Sequence, residues 1–234
     1  MNIHLHGFNL LEFLARTPLF SVLPGDELER VANSCRLRSF NKGDDVFRVG
    51  APCEAFYIVA SGQVKLYVLS PSGQEKVIEI FSPGHSFAEA FMFLEKPYIV
   101  NAQALTDTVL VEVSKRGIFH EIENEPRFAL RMLAGISRRL HALIKDVDSY
   151  ALRSGMQRLI GYLLRDIEVE SQIRGGAHTV ALPASKSTIA SRLSLTPEYF
   201  SRVLHELEAN QLIRIDRRNI HIFDVQKLAD YGSQ

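Results

Sequence analysis

Two kinds of apolar spacing divide this chain, and a seven-residue spacing lies between them. From about Arg36 to Val113, short apolar runs are separated by turn residues. Val46-Phe47-Arg48-Val49, Ala55-Phe56-Tyr57-Ile58-Val59, Val64-Lys65-Leu66-Tyr67-Val68-Leu69, Lys76-Val77-Ile78-Glu79-Ile80-Phe81 and Val109-Leu110-Val111-Glu112-Val113 are rich in β-branched and aromatic residues, which suit a pleated, half-buried surface. Gly43, Gly50, Gly62, Gly73 and Gly84 punctuate them at intervals of 7 to 12 residues, a rhythm that predicts a β-sandwich or barrel. Ser70-Pro71-Ser72-Gly73 predicts a hairpin turn. Ahead of the strands, Leu11 to Leu37 predicts short helices around a start at Pro24-Gly25-Asp26-Glu27.

The spacing changes at Glu125-Pro126. No proline intervenes from Arg127 to Tyr150, and Ala129, Leu133, Ile136, Leu140, Leu143, Val147 and Tyr150 recur at alternating steps of four and three. A 3.5-residue period on one helix is the pattern of a seam buried against a second helix. It predicts a homodimer, with Leu133, Ile136, Leu140, Leu143 and Val147 in the seam. The alternative is a helix laid on its own sheet. Gly135 weakens the helix by about 1 kcal/mol and permits a close approach.

Beyond Ser154 the pattern predicts a helix from Met156 to Glu170, a polar loop at Gly175-Gly176, two short helices joined by a turn over residues 188–203, and a terminal hairpin. Thr196 can cap the second of the paired helices through its hydroxyl. Pro197 suits the first helical position, where its missing N–H would be unpaired anyway, and Glu198 meets the positive end of the helix dipole. Phe200, Val203, Leu204 and Leu207 fall on one apolar stripe, which leaves Glu198, Ser201, Arg202 and His205 on the other side. Leu212-Ile213-Arg214-Ile215 and Ile220-His221-Ile222-Phe223 flank the basic tip Asp216-Arg217-Arg218-Asn219, so the hairpin reads as a wing.

Composition narrows the chemistry. The chain has 234 residues, enough for one large or two small domains, with 46% hydrophobic and 23% charged positions and a net charge of zero. Residues 152–234 hold eleven Lys and Arg against nine Asp and Glu, so a nucleic-acid reading must rest on the motif rather than on bulk charge. No run of about 18 apolar residues predicts a membrane span. The N-terminus lacks the basic start and cleavage site of a signal peptide. Cys35 and Cys53 are too few for a disulfide framework or an all-cysteine cluster, which fits a reducing cytoplasm and no membrane partner. Nucleophile elbow, P-loop and metal-binding histidine cluster are all missing, and His178 and His205 stand alone, so no enzyme is expected.

A β-rich domain, a long helix and a C-terminal winged helix-turn-helix, in this order, resemble the CRP/FNR transcription regulators from about Leu19 to Phe223. The resemblance implies an α+β chain. Its parts would be an N-terminal β-roll of the cyclic-nucleotide-binding jelly-roll type (1–124), a dimerisation helix with a hinge (125–151), and a winged helix-turn-helix DNA-binding domain (152–234). Glu198-x-x-Ser201-Arg202 is similar to the FNR branch, which implies an FNR-type TTGAT-N4-ATCAA palindrome, double-stranded DNA as ligand and RNA polymerase as partner. The chemistry agrees: Arg202 can donate twice to guanine O6 and N7, Glu198 can accept from cytosine N4, and Ser201 can meet a thymine edge. The competing role for Arg202 is a salt bridge with Glu198 or Glu206, each four residues away. Lys186, Thr188, Thr196, Arg217 and Arg218 are expected at phosphates. Where the family often has glycine in the turn, this chain has Ser194, in which a left-handed conformation is mildly strained.

A cyclic-nucleotide site needs a Gly-Glu-Leu start and an Arg-Ser or Arg-Thr pair. Here the segment is Phe87-Ala88-Glu89-Ala90-Phe91-Met92-Phe93, and the pair falls near Tyr98-Ile99. Glu89 is kept and the arginine is not, and a phosphate buried without a cation is unfavourable by several kcal/mol. No cAMP is expected, and no iron–sulfur cluster, which would need four thiolates. Phe87 to Leu94 is similar to the DNR-like (dissimilatory nitrate respiration) subgroup. That likeness implies a nitric oxide response through haem, held in an effector pocket of Phe87, Glu89, Phe91 and Met92. The axial ligand would come from His85, Met92, Met132 or His141. A small organic effector, or a regulatory subunit that binds no DNA, is the alternative.

Overall fold

The computed structural model describes residues 8–137, 154–164, 167 and 176–232. It divides into two compact units, the first ending at Ala142 and the second beginning at Leu143.

The first unit opens with α1 (Leu10–Arg16) and α2 (Gly25–Asn33). Cys35, Arg36 and Leu37, expected to close the helical stretch, begin a strand instead. Eight strands follow: β1 (Cys35–Phe40), β2 (Asp45–Phe47), β3 (Ala55–Ser61), β4 (Val64–Leu69), β5 (Glu75–Phe81), β6 (Ser86–Phe87), β7 (Asn101–Ala104) and β8 (Thr108–Ser114). A short helix α3 (Glu89–Phe93) separates β6 from β7, and α4 (Lys115–Asn124) follows β8. The strands form two antiparallel four-stranded sheets, β1-β8-β3-β6 and β2-β7-β4-β5, the roll that the punctuated β-branched runs predict. Alternation along β3 decides what each face meets. The Tyr57 ring stacks on Phe87 and Phe47 inside the roll, while Phe56 turns outward to Phe20. Gly62 takes φ +80, and a Cβ there would lie 2.4 Å from the Asp107 carbonyl oxygen, so only glycine fits this turn.

Residues 126–137 form the next helix, α5. Phe128 and Met132 are fully buried in the core of the first unit, with Ile136 packed partly against it. A Cβ on Gly135 would lie 2.8 Å from the Leu19 carbonyl oxygen. The close approach that glycine permits is therefore to the helix's own unit. Leu130 and Leu133 face the other way, 66% and 57% exposed. Of the expected seam, Leu133 is outward and Ile136 is half-buried on the roll, while Leu140, Leu143 and Val147 lie outside the described residues. Two ion pairs fasten this region to α2: Arg131 to Glu27 at 2.7 Å, and Arg30 to Glu121 at 2.7 Å.

The second unit contains α6 (Gly155–Leu164), β9 (His178–Ala181), α7 (Lys186–Arg192), α8 (Pro197–Ala209), β10 (Ile213–Asp216), β11 (Asn219–Ile222) and α9 (Val225–Tyr231). The three strands form one antiparallel sheet in the order β10-β11-β9. Leu159, Ile160, Leu163, Ile189, Phe200, Leu204, Leu207 and Leu228 supply its buried apolar side chains.

Candidate nucleic-acid interface

The two short helices of the second unit follow their local chemistry closely. Ser185 caps α7, its Oγ accepting the Thr188 N–H at 3.1 Å. Ile189, Ala190 and Leu193 point inward. The turn is closed by the Leu195 N–H on the Ala190 carbonyl at 2.9 Å. Ser194 sits at φ +56, so the left-handed turn is kept although serine replaces glycine. From the neighbouring helix, Arg158 Nη1 donates to the Leu193 carbonyl at 2.8 Å, fixing the residue just before the reversal.

Helix α8 begins as its sequence dictates. Thr196 is extended (φ −75, ψ 151), its Oγ1 accepts the Tyr199 N–H at 3.2 Å, and Pro197 occupies the first turn. Phe200, Val203, Leu204 and Leu207 are buried. Glu198, Arg202 and His205 are exposed and Ser201 is half-buried, so the expected polar face is turned outward. Among the described residues Arg202 makes no ion pair with Glu198 or Glu206. Its guanidinium lies over the Tyr199 ring, 4.8 Å from the centroid. His205 is drawn toward Glu208, 3.7 Å away, and Glu206 toward the Tyr231 hydroxyl, 3.5 Å away.

The wing is built as a two-residue hairpin. Ile213 pairs with Ile222 and Asp216 with Asn219, leaving Arg217 and Arg218 at the tip, both exposed. Arg217 adopts φ +53, as a tight hairpin turn between twisted strands requires. Glu208 Oε1 accepts the Ile215 N–H at 2.8 Å, so the end of α8 and the wing are tied together. The third strand, β9, had no strong apolar signal. It pairs Ile220 with Val180, and the Leu182 N–H donates to the Arg218 carbonyl at 2.7 Å. Lys186 and Thr188 are half-buried at the start of α7, with Thr188 Oγ1 2.7 Å from Ser185 Oγ.

In the first unit, the residues expected around an effector are enclosed. Phe87 and Met92 are fully buried, with the Phe87 ring held among Phe47, Tyr57 and Phe81. Glu89 is buried with Ser86 Oγ 3.4 Å away, and Phe91 is half-buried. Where a nucleotide site would have its cation, Tyr98 is stacked on Phe47 at 3.7 Å and donates to the Ala55 carbonyl at 2.7 Å. Burial raises the Tyr98 hydroxyl well above its ordinary pKa. On another side of Phe47, Tyr57 and Tyr98 these rings wall an open cavity of about 1090 Å³, with Arg36, Glu112 and His120 among its polar residues. Sequence reasoning did not find it, because its wall is assembled from strand and helix ends far apart in the chain. Among the described residues no three His, Cys, Asp or Glu side chains converge on a metal position, and no helix is long and apolar enough to cross a membrane.

Residues 37–125 match the family model of the cyclic nucleotide-binding domain, and residues 157–231 that of the Crp-like helix-turn-helix domain. The crystal structure of DNR from Pseudomonas aeruginosa is 34% identical, covers 94% of this chain and 96% of its own, and superposes with a TM-score of 0.54. The nitrogen fixation regulation protein FixK of Bradyrhizobium diazoefficiens is 28% identical over 87% of this chain and 85% of its own length. The CRP-like cAMP-activated global transcriptional regulator of Mycobacterium tuberculosis is 24% identical over 93% of this chain and 97% of its own.

Proposed function

Since this chain belongs to the CRP/FNR family of DNA-binding transcription regulators, we propose that it acts as a homodimer on an FNR-type TTGAT-N4-ATCAA palindrome, each α8 reading one half-site. The observation that carries this reading is the outward face of α8. Glu198, Ser201 and Arg202 share that face, the apolar stripe behind them is buried, and neither glutamate neighbour holds Arg202. Arg202 donates to guanine, Glu198 accepts from cytosine and Ser201 meets thymine. Lys186, Thr188, Thr196, Arg217 and Arg218 hold phosphates and set the register. Leu130 and Leu133, apolar and exposed on α5, support a dimer seam there; its other expected members, Leu140, Leu143 and Val147, lie outside the described residues. RNA polymerase is the partner at the promoter and the cytoplasm is the compartment.

The likeness to DNR supports nitric oxide as the signal and denitrification genes as targets. It does not carry haem with it. Phe87 and Met92 are packed core, Met132 is buried on the inner side of α5, and exposed His85 places Nδ1 3.2 Å from the Ser82 carbonyl oxygen; His141 lies outside the described residues. The described residues therefore do not fit haem at the expected place. The second reading is a small organic effector, supported by the cavity of about 1090 Å³; cAMP is disfavoured by Tyr98 in the cation's place. Effector binding acts by preferring one of two arrangements of the dimer, and shifts the population only as far as its affinities for the two differ.

The test is a gel shift with the TTGAT-N4-ATCAA duplex and a duplex with the guanine pair exchanged. The proposed function requires Arg202→Ala to lose affinity for the first and to relax the preference between the two. Tight binding to both duplexes alike by the wild-type chain contradicts it.

A further inference from the structure

We propose that Tyr199 is a positioning residue for base recognition, holding the Arg202 guanidinium in its reading geometry against a notch made by Gly155. The inference rests on the reading that Arg202 contacts guanine. Three observations meet at this ring. The Arg202 guanidinium carbon stands 4.8 Å from the Tyr199 ring centroid. The Tyr199 N–H is held by the Thr196 cap at 3.2 Å, so the ring's attachment is fixed by the first turn of α8. Behind the ring lies the start of α6, where a Cβ on Gly155 would come within 2.5 Å of Tyr199 Cε1, 3.1 Å of Cζ and 2.9 Å of Leu195 Cδ2. The glycine leaves a gap that the tyrosine ring fills.

The chemistry of this contact differs from an ion pair in one respect that matters for reading. A carboxylate partner engages guanidinium N–H groups, which are the donors needed at guanine O6 and N7. An aromatic ring attracts the cation through its electron-rich face and takes up none of the five N–H donors. Among the described residues Arg202 has this ring and no carboxylate for a partner. The long side chain is thus restrained before DNA arrives, with its donors still available, and loses less freedom on binding. Tyr199 itself needs to touch no base.

The experiment measures fluorescence anisotropy of the full-length protein, at low salt, on the TTGAT-N4-ATCAA duplex and on its guanine-exchanged counterpart. The readout is the ratio of the two affinities, with thermal unfolding of each variant as a folding control. Tyr199→Leu, which keeps apolar bulk but removes the ring, is expected to shrink the ratio by about two- to fivefold, the worth of an exposed cation–ring contact. Tyr199→Phe is expected to retain it. Gly155→Ala, which leaves both partners chemically intact and pushes the ring out of its notch, is expected to shrink the ratio in the same direction. If Tyr199→Leu leaves the ratio unchanged, or weakens both duplexes equally, Tyr199 is only packing and the proposal is overturned, while Arg202→Ala still reports on base reading. If Arg202→Ala leaves the ratio intact, or the wild-type chain shows no guanine preference, it is the reading of α8 that fails.

Discussion

Replacing Arg131 by methionine should destabilise the first unit out of proportion to the exposed charge it removes. Arg131 Nη1 lies 2.7 Å from Glu27 Oε1, and the Glu27 side chain is only 5% exposed against 28% for Arg131. The second carboxylate oxygen, Oε2, is already buried without a hydrogen-bond partner. Arg131→Met would therefore strand a buried carboxylate. Breaking a fully buried pair costs about 3–5 kcal/mol. Water reaches this one through the partly exposed guanidinium, so an expected loss of about 2–3 kcal/mol is appropriate. Removing both charges, in Glu27→Leu/Arg131→Met, eliminates the stranded group and should return stability to within about 1 kcal/mol of the wild type. Urea unfolding of the four proteins of this cycle, followed by circular dichroism and fitted for the first unit's transition, gives the coupling directly. The reasoning is refuted if the single variant loses less than about 0.5 kcal/mol, or if the double variant is no better than the single one. The result matters beyond stability, because this pair fastens to α2 the helix that carries Leu130 and Leu133.

Three further outcomes follow from other parts of the molecule. Gly62→Ala must fit a Cβ 2.4 Å from the Asp107 oxygen at φ +80; a loss of about 3 kcal/mol or more, read as a fall in the denaturation midpoint, is expected. Burial pushes the Cys35 thiol up to about 12 from 9.0, so its contribution to stability is fully present below pH 9 and drains away as pH rises from 9 through 12; iodoacetamide at mildly alkaline pH should spare Cys35 in the native protein and modify it in urea. Leu133→Asp places a charge on the exposed apolar side of α5 and should convert a dimer to a monomer in sedimentation velocity; a wild-type chain that is already monomeric at micromolar concentration removes the proposed seam.

What the sequence made legible was local. The Thr196 cap, Pro197 and the 3,4-spaced apolar residues of α8 each act within one or two turns, and all appear where the pattern puts them. The Arg217-Arg218 tip was equally readable, because turn chemistry is set by neighbouring residues; the turn at Ser194 was placed by the resemblance alone, and serine argued for an altered turn there, yet the left-handed conformation is kept. β9 escaped notice since its four residues, His178 to Ala181, alternate between half-buried and exposed and gain strand character only by pairing with β11. The effector region shows the opposite difficulty. Phe87, Phe91 and Met92 form an apolar cluster in sequence whether they line a pocket or fill a core, and the distinction depends on Phe47, Tyr57 and Phe81 closing in from other strands. The period of α5 was likewise ambiguous, since a helix can present Phe128 and Met132 to its own unit and Leu130 and Leu133 outward at once.

The central claim is that α8 recognises a defined half-site, twice. Selection from random duplexes by the full-length protein, followed by sequencing of the retained pool, measures that most directly. The account predicts an inverted repeat of TTGAT-type half-sites about one helical turn apart, with the guanine enrichment abolished in Arg202→Ala. A pool without a repeat, or an identical pool from Arg202→Ala, contradicts it.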